Sequence, residues 1–261
     1  MFAQYRQTIG AFLTVCLCML GVGSMQYPQL QKLLRSRETI TLESLEGEIK
    51  AEQVRLNLIK QTPSFGYDNL IADWVYINFL QYFGDDEARA KTGYSFSPEY
   101  FEVILERDPK FLAAYLGLST STSMYAGLPE RSIDIMQQSL KFLSPKVPEK
   151  SYYAWRYKGI DELLFLGSSQ AAKHSFVKAA DWASQSSDEE SKLIAHISQR
   201  TAQFLNHNPN SKKARISTWT MVLNNGVDDK TRKRAIREIE ALGAKVVSTP
   251  EGYKIIPPAK D

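Results

Sequence analysis

The spacing of apolar positions changes several times along this chain, and each change marks an element. From Ile9 to Met25 they crowd together with no helical or alternating period. Leu42, Leu45 and Ile49 then form one stripe among Glu43, Glu46, Glu48 and Lys50, which predicts an amphipathic helix to about Lys60. Gly47 lies inside that stripe and costs about 1 kcal/mol relative to Ala. Pro63 and Gly66 break the chain before the most apolar helix of the body, expected over Asp68 to Phe83. Near the other end, Ser187-Asp188-Glu189-Glu190 reads as a capped start of a helix running towards Asn206 and stopped by Asn208-Pro209. Two more helices are expected, from about Ser211 to Leu223 and from Asp228-Asp229 to Gly243, a position suited to left-handed backbone. Lys245-Val246-Val247 and Tyr253-Lys254-Ile255-Ile256 flank Thr249-Pro250-Glu251-Gly252 as a short hairpin.

Between these ends the pattern repeats at forty residues. Tyr115, Gly127, Ser132, Met136 and Ser139 are answered by Trp155, Gly167, Ala172, Phe176 and Ala179. A period of this size marks a stacked unit, each copy covering its neighbour's apolar face. Ala172 and Ala179 stand seven apart on one helix face, where small side chains let another helix approach. A looser earlier copy opens at Trp74, uses Phe101 as its bulky residue, closes at Asp108-Pro109, and carries an insertion from Gly84 to Phe96. The set resembles the tetratricopeptide (TPR) motif, a helical hairpin with an early aromatic, Gly at the turn and an Ala–aromatic–Ala second helix. Gly167 to Ala179 carries that likeness best; the aromatic-to-Gly spacing is one residue longer than the motif's. The stretch from Gly66 to Gly84 also looks like the opening of a group of membrane-anchored bacterial TPR-like proteins. The resemblance implies an all-α, TPR-like right-handed stack of helical hairpins. An irregular helical bundle is the competing expectation.

Between Arg6 and Lys32 there are twenty-five residues without a charge. Residues 8–26 come close to the roughly 20 apolar residues that cross a bilayer as a helix. With Arg6 before the run, the expected orientation is single-pass, N-terminus cytoplasmic and the helical domain on the periplasmic or lumenal side. A cleavable signal peptide, cut near Gly21-Val22-Gly23-Ser24, and a buried helix are the alternatives. The expected organisation is therefore a signal-anchor over 1–28, a linker and amphipathic helix over 29–66, repeats over 67–185, and C-terminal helices with a hairpin over 186–261.

Composition narrows the chemistry. A net charge of +3 is too small to imply nucleic acid, and none is expected as a partner. Both cysteines, Cys16 and Cys18, fall in the apolar run, which leaves the body without a thiol nucleophile or Cys metal ligand. His174, His196 and His207 lack a second ligand at metal-binding spacing. No phosphate loop or nucleophile elbow occurs, so the expectation is a non-enzyme without cofactor or metal. The basic runs Lys212–Arg215 and Lys230–Arg234 are solvated faces or contacts for anionic lipid or an acidic partner. Asn69 and Asp73, four apart, share a helix face; they either line a groove or serve local backbone. With Tyr115, Ser119, Tyr152 and Arg156, all on first helices, they are the candidate contacts for a protein or peptide partner. The expected function is a membrane-tethered scaffold or assembly factor, with a structural subunit of a membrane complex as the alternative.

Overall fold

The computed structural model describes residues 12, 14–28, 41–207, 212–249 and 252–258. The chain divides into two compact units, Met1–Gly47 and Glu48–Asp261. In the first, residues 14–28 form helix α1. Among the described residues no helix is long and apolar enough to cross a membrane. The expected span, 8–26, lies partly outside the described residues; the linker at 29–40, the stop at Asn208-Pro209 and Pro250-Glu251 at the hairpin tip lie outside them as well.

Helix α2 (Leu42–Gln61) leads into the second unit, which is helical with one small sheet. It continues with α3 (Asp68–Gly84), α4 (Asp86–Thr92), α5 (Ser97–Arg107) and α6 (Leu112–Leu118), the last running straight into a π-helical turn, Ser119–Tyr125. Next come α7 (Pro129–Leu140), α8 (Tyr152–Leu164), α9 (Ser169–Ala183), α10 (Glu189–His207), α11 (Lys212–Asn225) and α12 (Asp229–Ala241). Strands β1 (Lys245–Thr249) and β2 (Gly252–Ile256) close the chain as an antiparallel pair, Lys245 opposite Ile256. Packing runs between near neighbours in the chain: α3 lies on α5, α5 and the π turn on α7, α6 and α7 on α8, α8 on α9, α9 on α10, and α11 on α12. Nearest-neighbour packing of this kind is repeat-like.

The forty-residue period extends to the backbone. Leu128 N–H donates to Thr122 O at 2.8 Å, and forty residues on Ser168 N–H donates to Glu162 O at 2.8 Å. Ala126 N–H reaches Ser121 O at 3.0 Å, and Leu166 N–H reaches Asp161 O at 3.4 Å. Gly127 and Gly167 sit at φ +62° and +67°, a conformation that costs an L side chain about 1–2 kcal/mol. The positions beyond each glycine are all buried: Ser132, Met136 and Ser139 in one hairpin, Ala172, Phe176 and Ala179 in the other. The earlier copy departs from the expected register. Trp74 is 46 % exposed, because the inward position forty residues before Tyr115 is Val75, which is fully buried. The insertion after Gly84 folds as α4, capped by Asp85, whose carboxylate accepts from Ala88 N–H at 3.1 Å.

The main core joins Val75 and Phe79 of α3, Phe101 and Ile104 of α5, Tyr115 and Leu118 of α6, Met136 of α7 and Ala154 of α8. A second core surrounds Trp219, which stacks edge-on to Phe165 at 5.7 Å and donates its indole N–H to Phe165 O at 3.2 Å. Ile239 and Ala235 of α12 complete it. Asp228 caps α12 by accepting from Thr231 N–H at 2.9 Å, and Gly243 is left-handed at φ +90°, as the sequence pattern requires.

Candidate functional site

Helix α3 is apolar on both faces, which sets it apart from the surface helices around it. Its inner face, Ala72, Val75, Phe79 and Tyr82, packs on α5 through an aromatic layer, in which Phe79 meets Phe101 at 4.5 Å and Tyr100 at 5.9 Å; beside it Tyr76 meets Phe111, just before α6, at 4.8 Å. Arg107 on α5 fixes the entry to α3. Its guanidinium donates to the C-terminal carbonyls of α2, Ile59 O, Lys60 O and Thr62 O, and pairs with Asp68 at 3.0 Å. Hydrogen bonds from Ser64 and then Arg107 hold the Asp68 carboxyl below its ordinary range. At the other end Arg89 of α4, itself buried, lies 3.8 Å over the Tyr82 ring and donates to Gly93 O at 3.1 Å.

The outer face of α3 is open to solvent. Leu70 is 62 % exposed, Ile77 54 %, Leu80 49 % and Trp74 46 %, at spacings of four, three and three residues. Asn69, Asp73 and Gln81 lie exposed on the same side. Arg55 of α2 sits 4.9 Å over the Trp74 ring and is ion-paired to Glu52, so it leaves Asp73 untouched. Among the described residues Asp73 forms no ion pair. A helix that is apolar all round normally lies inside a protein. An exposed apolar stripe rimmed by polar groups marks an interaction surface.

The structure separates the six residues expected to share one groove. Asn69 and Asp73 share the outer face of α3. Tyr115, by contrast, is fully buried; its hydroxyl donates to Pro109 O at 2.7 Å, and burial pushes the phenol far above its ordinary pKa. Tyr152 is also fully buried, with its hydroxyl 3.1 Å from Ser191 Oγ at the seam with α10. Arg156, half-buried, donates to Ser198 Oγ of α10 at 2.9 Å. Ser119 donates to Asp161 at 2.7 Å. These four are seam and core residues: Ser119, Tyr152 and Arg156 meet later helices, and Tyr115 bonds back to the loop before α6.

Sequence reading passed over the polar cluster that Ser119 belongs to. Asp161, with no exposed surface, accepts hydroxyl hydrogen bonds from Ser119 (2.7 Å), Ser123 (2.6 Å) and Ser132 (2.8 Å). Burial raises its pKa to about 7, against the pull of the three hydroxyls towards the ionised form. Two of the donors come from the π turn and one from α7, so one carboxylate ties α8 to the preceding hairpin. One turn away Lys158 pairs with Glu162, and Ser175 of α9 donates to Glu162 at 2.6 Å. The signal was present in α8, where Lys158 and Glu162 share the inward stripe of Trp155 and Gly159.

A cleft of about 520 Å³ opens beside α5 and α7, lined in part by Lys60, Glu102, Arg131, Asp134 and Phe142. Glu102 takes Lys60 at 2.7 Å and also Arg131, so its charges are largely satisfied internally. Burial pushes the Glu102 carboxyl up, but the two cations outweigh it and leave the pKa lowered. Among the described residues no cluster of three or more His, Cys, Asp or Glu could hold a metal ion. Comparison with protein-family models, curated proteins and solved structures finds no match to this chain.

Proposed function

We propose that this protein is a membrane-tethered interaction scaffold or assembly factor of TPR-like build, non-catalytic, holding a protein partner on the outer face of α3. The observation that carries the reading is the stripe Leu70, Trp74, Ile77 and Leu80, left open on a helix whose inner face is fully packed. A solvated helix gains nothing from large apolar side chains on its outer side. A partner gains about 25 cal/mol for each Å² of apolar surface it covers. Tethering rests on the uncharged run between Arg6 and Lys32.

The breadth of the same apolar face favours a second reading, a structural subunit built permanently into a membrane complex. One experiment addresses both. The tagged full chain, wild type or Ile77→Asp/Leu80→Asp, is recovered from gently solubilised membranes. The reading predicts that one partner is lost with the double variant while the thermal midpoint of the purified protein stays put. If the companions are unchanged, the face is not the docking site. A partner that exchanges with added free protein marks a scaffold, and one that never exchanges marks a permanent subunit.

A further inference from the structure

We infer that the occupant of this face is an apolar helix of a different protein that carries a lysine or arginine opposite Asp73. The inference rests on the proposed docking role of α3 and adds the chemistry of the partner. Leu70, Trp74, Ile77 and Leu80 recur every three to four residues, the ridge spacing into which a second helix fits. The seventeen residues of α3 span about 25 Å at 1.5 Å per residue, room for several turns of contact.

Asp73 decides the charge. It is exposed, lies on the outer face between Leu70 and Ile77, and forms no ion pair among the described residues. Any apolar surface laid over this stripe takes water from a bare carboxylate, which is unfavourable unless a cation or strong donor replaces that water. A second copy of α3 cannot supply it, because Asp68–Gly84 contains no Lys or Arg. A bilayer surface fits no better: Asp73 adds a negative charge to the face, and Arg55, the cation lying over Trp74, is already paired with Glu52. A basic apolar helix satisfies both the stripe and the carboxylate.

The test uses purified full chain and two labelled synthetic helices that share one leucine stripe and differ only in a central Lys or Glu. For wild type the Lys helix should bind about tenfold tighter than the Glu helix, the scale of one partly desolvated charge pair. Asp73→Lys should reverse that order, and Ile77→Asp should abolish both; circular dichroism confirms that each variant is folded. Equal binding of the two helices to wild type, still lost in Ile77→Asp, would overturn the inference while leaving the docking face in place. No binding of either helix, or binding indifferent to Ile77→Asp, removes the face and the inference together. Concentration-dependent dimers that Ile77→Asp dissolves would identify a second copy as the occupant, and vesicle binding that it removes would identify lipid. Either result also overturns the basic-helix assignment.

Discussion

Asp161 shows how a single side chain can make a fold sensitive to pH. Its carboxyl titrates near 7 in the folded chain against an ordinary value of 3.8, because burial outweighs three donated hydrogen bonds. The folded state therefore holds this proton more tightly than the unfolded one, and stability falls as pH rises from about 4 through about 7. Asp161→Asn should remove that slope. Its stability relative to wild type should grow between about pH 5 and pH 8 and level off above, by an amount on the order of 3 kcal/mol. Urea titrations at four pH values measure it; parallel slopes for the two proteins would place the titration elsewhere. This residue also marks a limit of sequence reading. Asp161 stands among Ile160, Glu162 and Leu163 like any surface acid, and the serines that receive it lie 29 to 42 residues earlier. Tyr115 was misplaced for a related reason. An aromatic on a first helix suits both a groove and a core, and only the packing of Pro109 and α7 around it decides.

At the scale of elements the sequence was far more legible. Helices α2, α3, α10, α11 and α12, the hairpin and the left-handed Gly243 follow from caps, breaks and apolar spacing, all of them local signals. The π turn at Ser119–Tyr125 and helix α4 have no such signature: Ser119 reads simply as part of a first helix, and the stretch from Gly84 to Phe96 only as an insertion. Two predictions belong to this scale, one on the repeat and one on the junction of α2 and α3. Ala172→Leu and Ala179→Leu place large side chains at fully buried positions and should each cost about 1–3 kcal/mol in denaturant unfolding. Unchanged midpoints for both would remove the packing role given to the small residues. Arg107→Ala withdraws the donors from the end of α2 and from Asp68, and should cost about 2–3 kcal/mol. Arg107→Lys should recover only part of this, because one ammonium cannot span four acceptors. Full recovery by Lys would show that charge alone holds α3 in place.

The whole molecule combines an uncharged N-terminal run with a helical body whose most apolar helix, α3, leaves Leu70, Trp74, Ile77 and Leu80 exposed. The sequence marked α3 as the most apolar helix of the body and put Asn69 and Asp73 on one side of it. It could not show which side, since a helix with large apolar residues on every side has no clear amphipathic direction to read. Packing supplied the direction by turning Phe79 and Tyr82 towards Tyr100. Retention of the N-terminal run is open to direct measurement. Sequencing the mature protein should find residues before Ser24, and a chain beginning near Ser24 would leave the body untethered. The central claim is that α3 meets a protein partner in the native membrane setting. Photo-crosslinking in intact cells tests it most directly, with the reactive side chain placed at Ile77 and, as a control, at exposed Gln137 on α7. The account predicts one discrete protein adduct at Ile77, recovered with membranes, and none at Gln137. An adduct at Gln137 with none at Ile77 would contradict it.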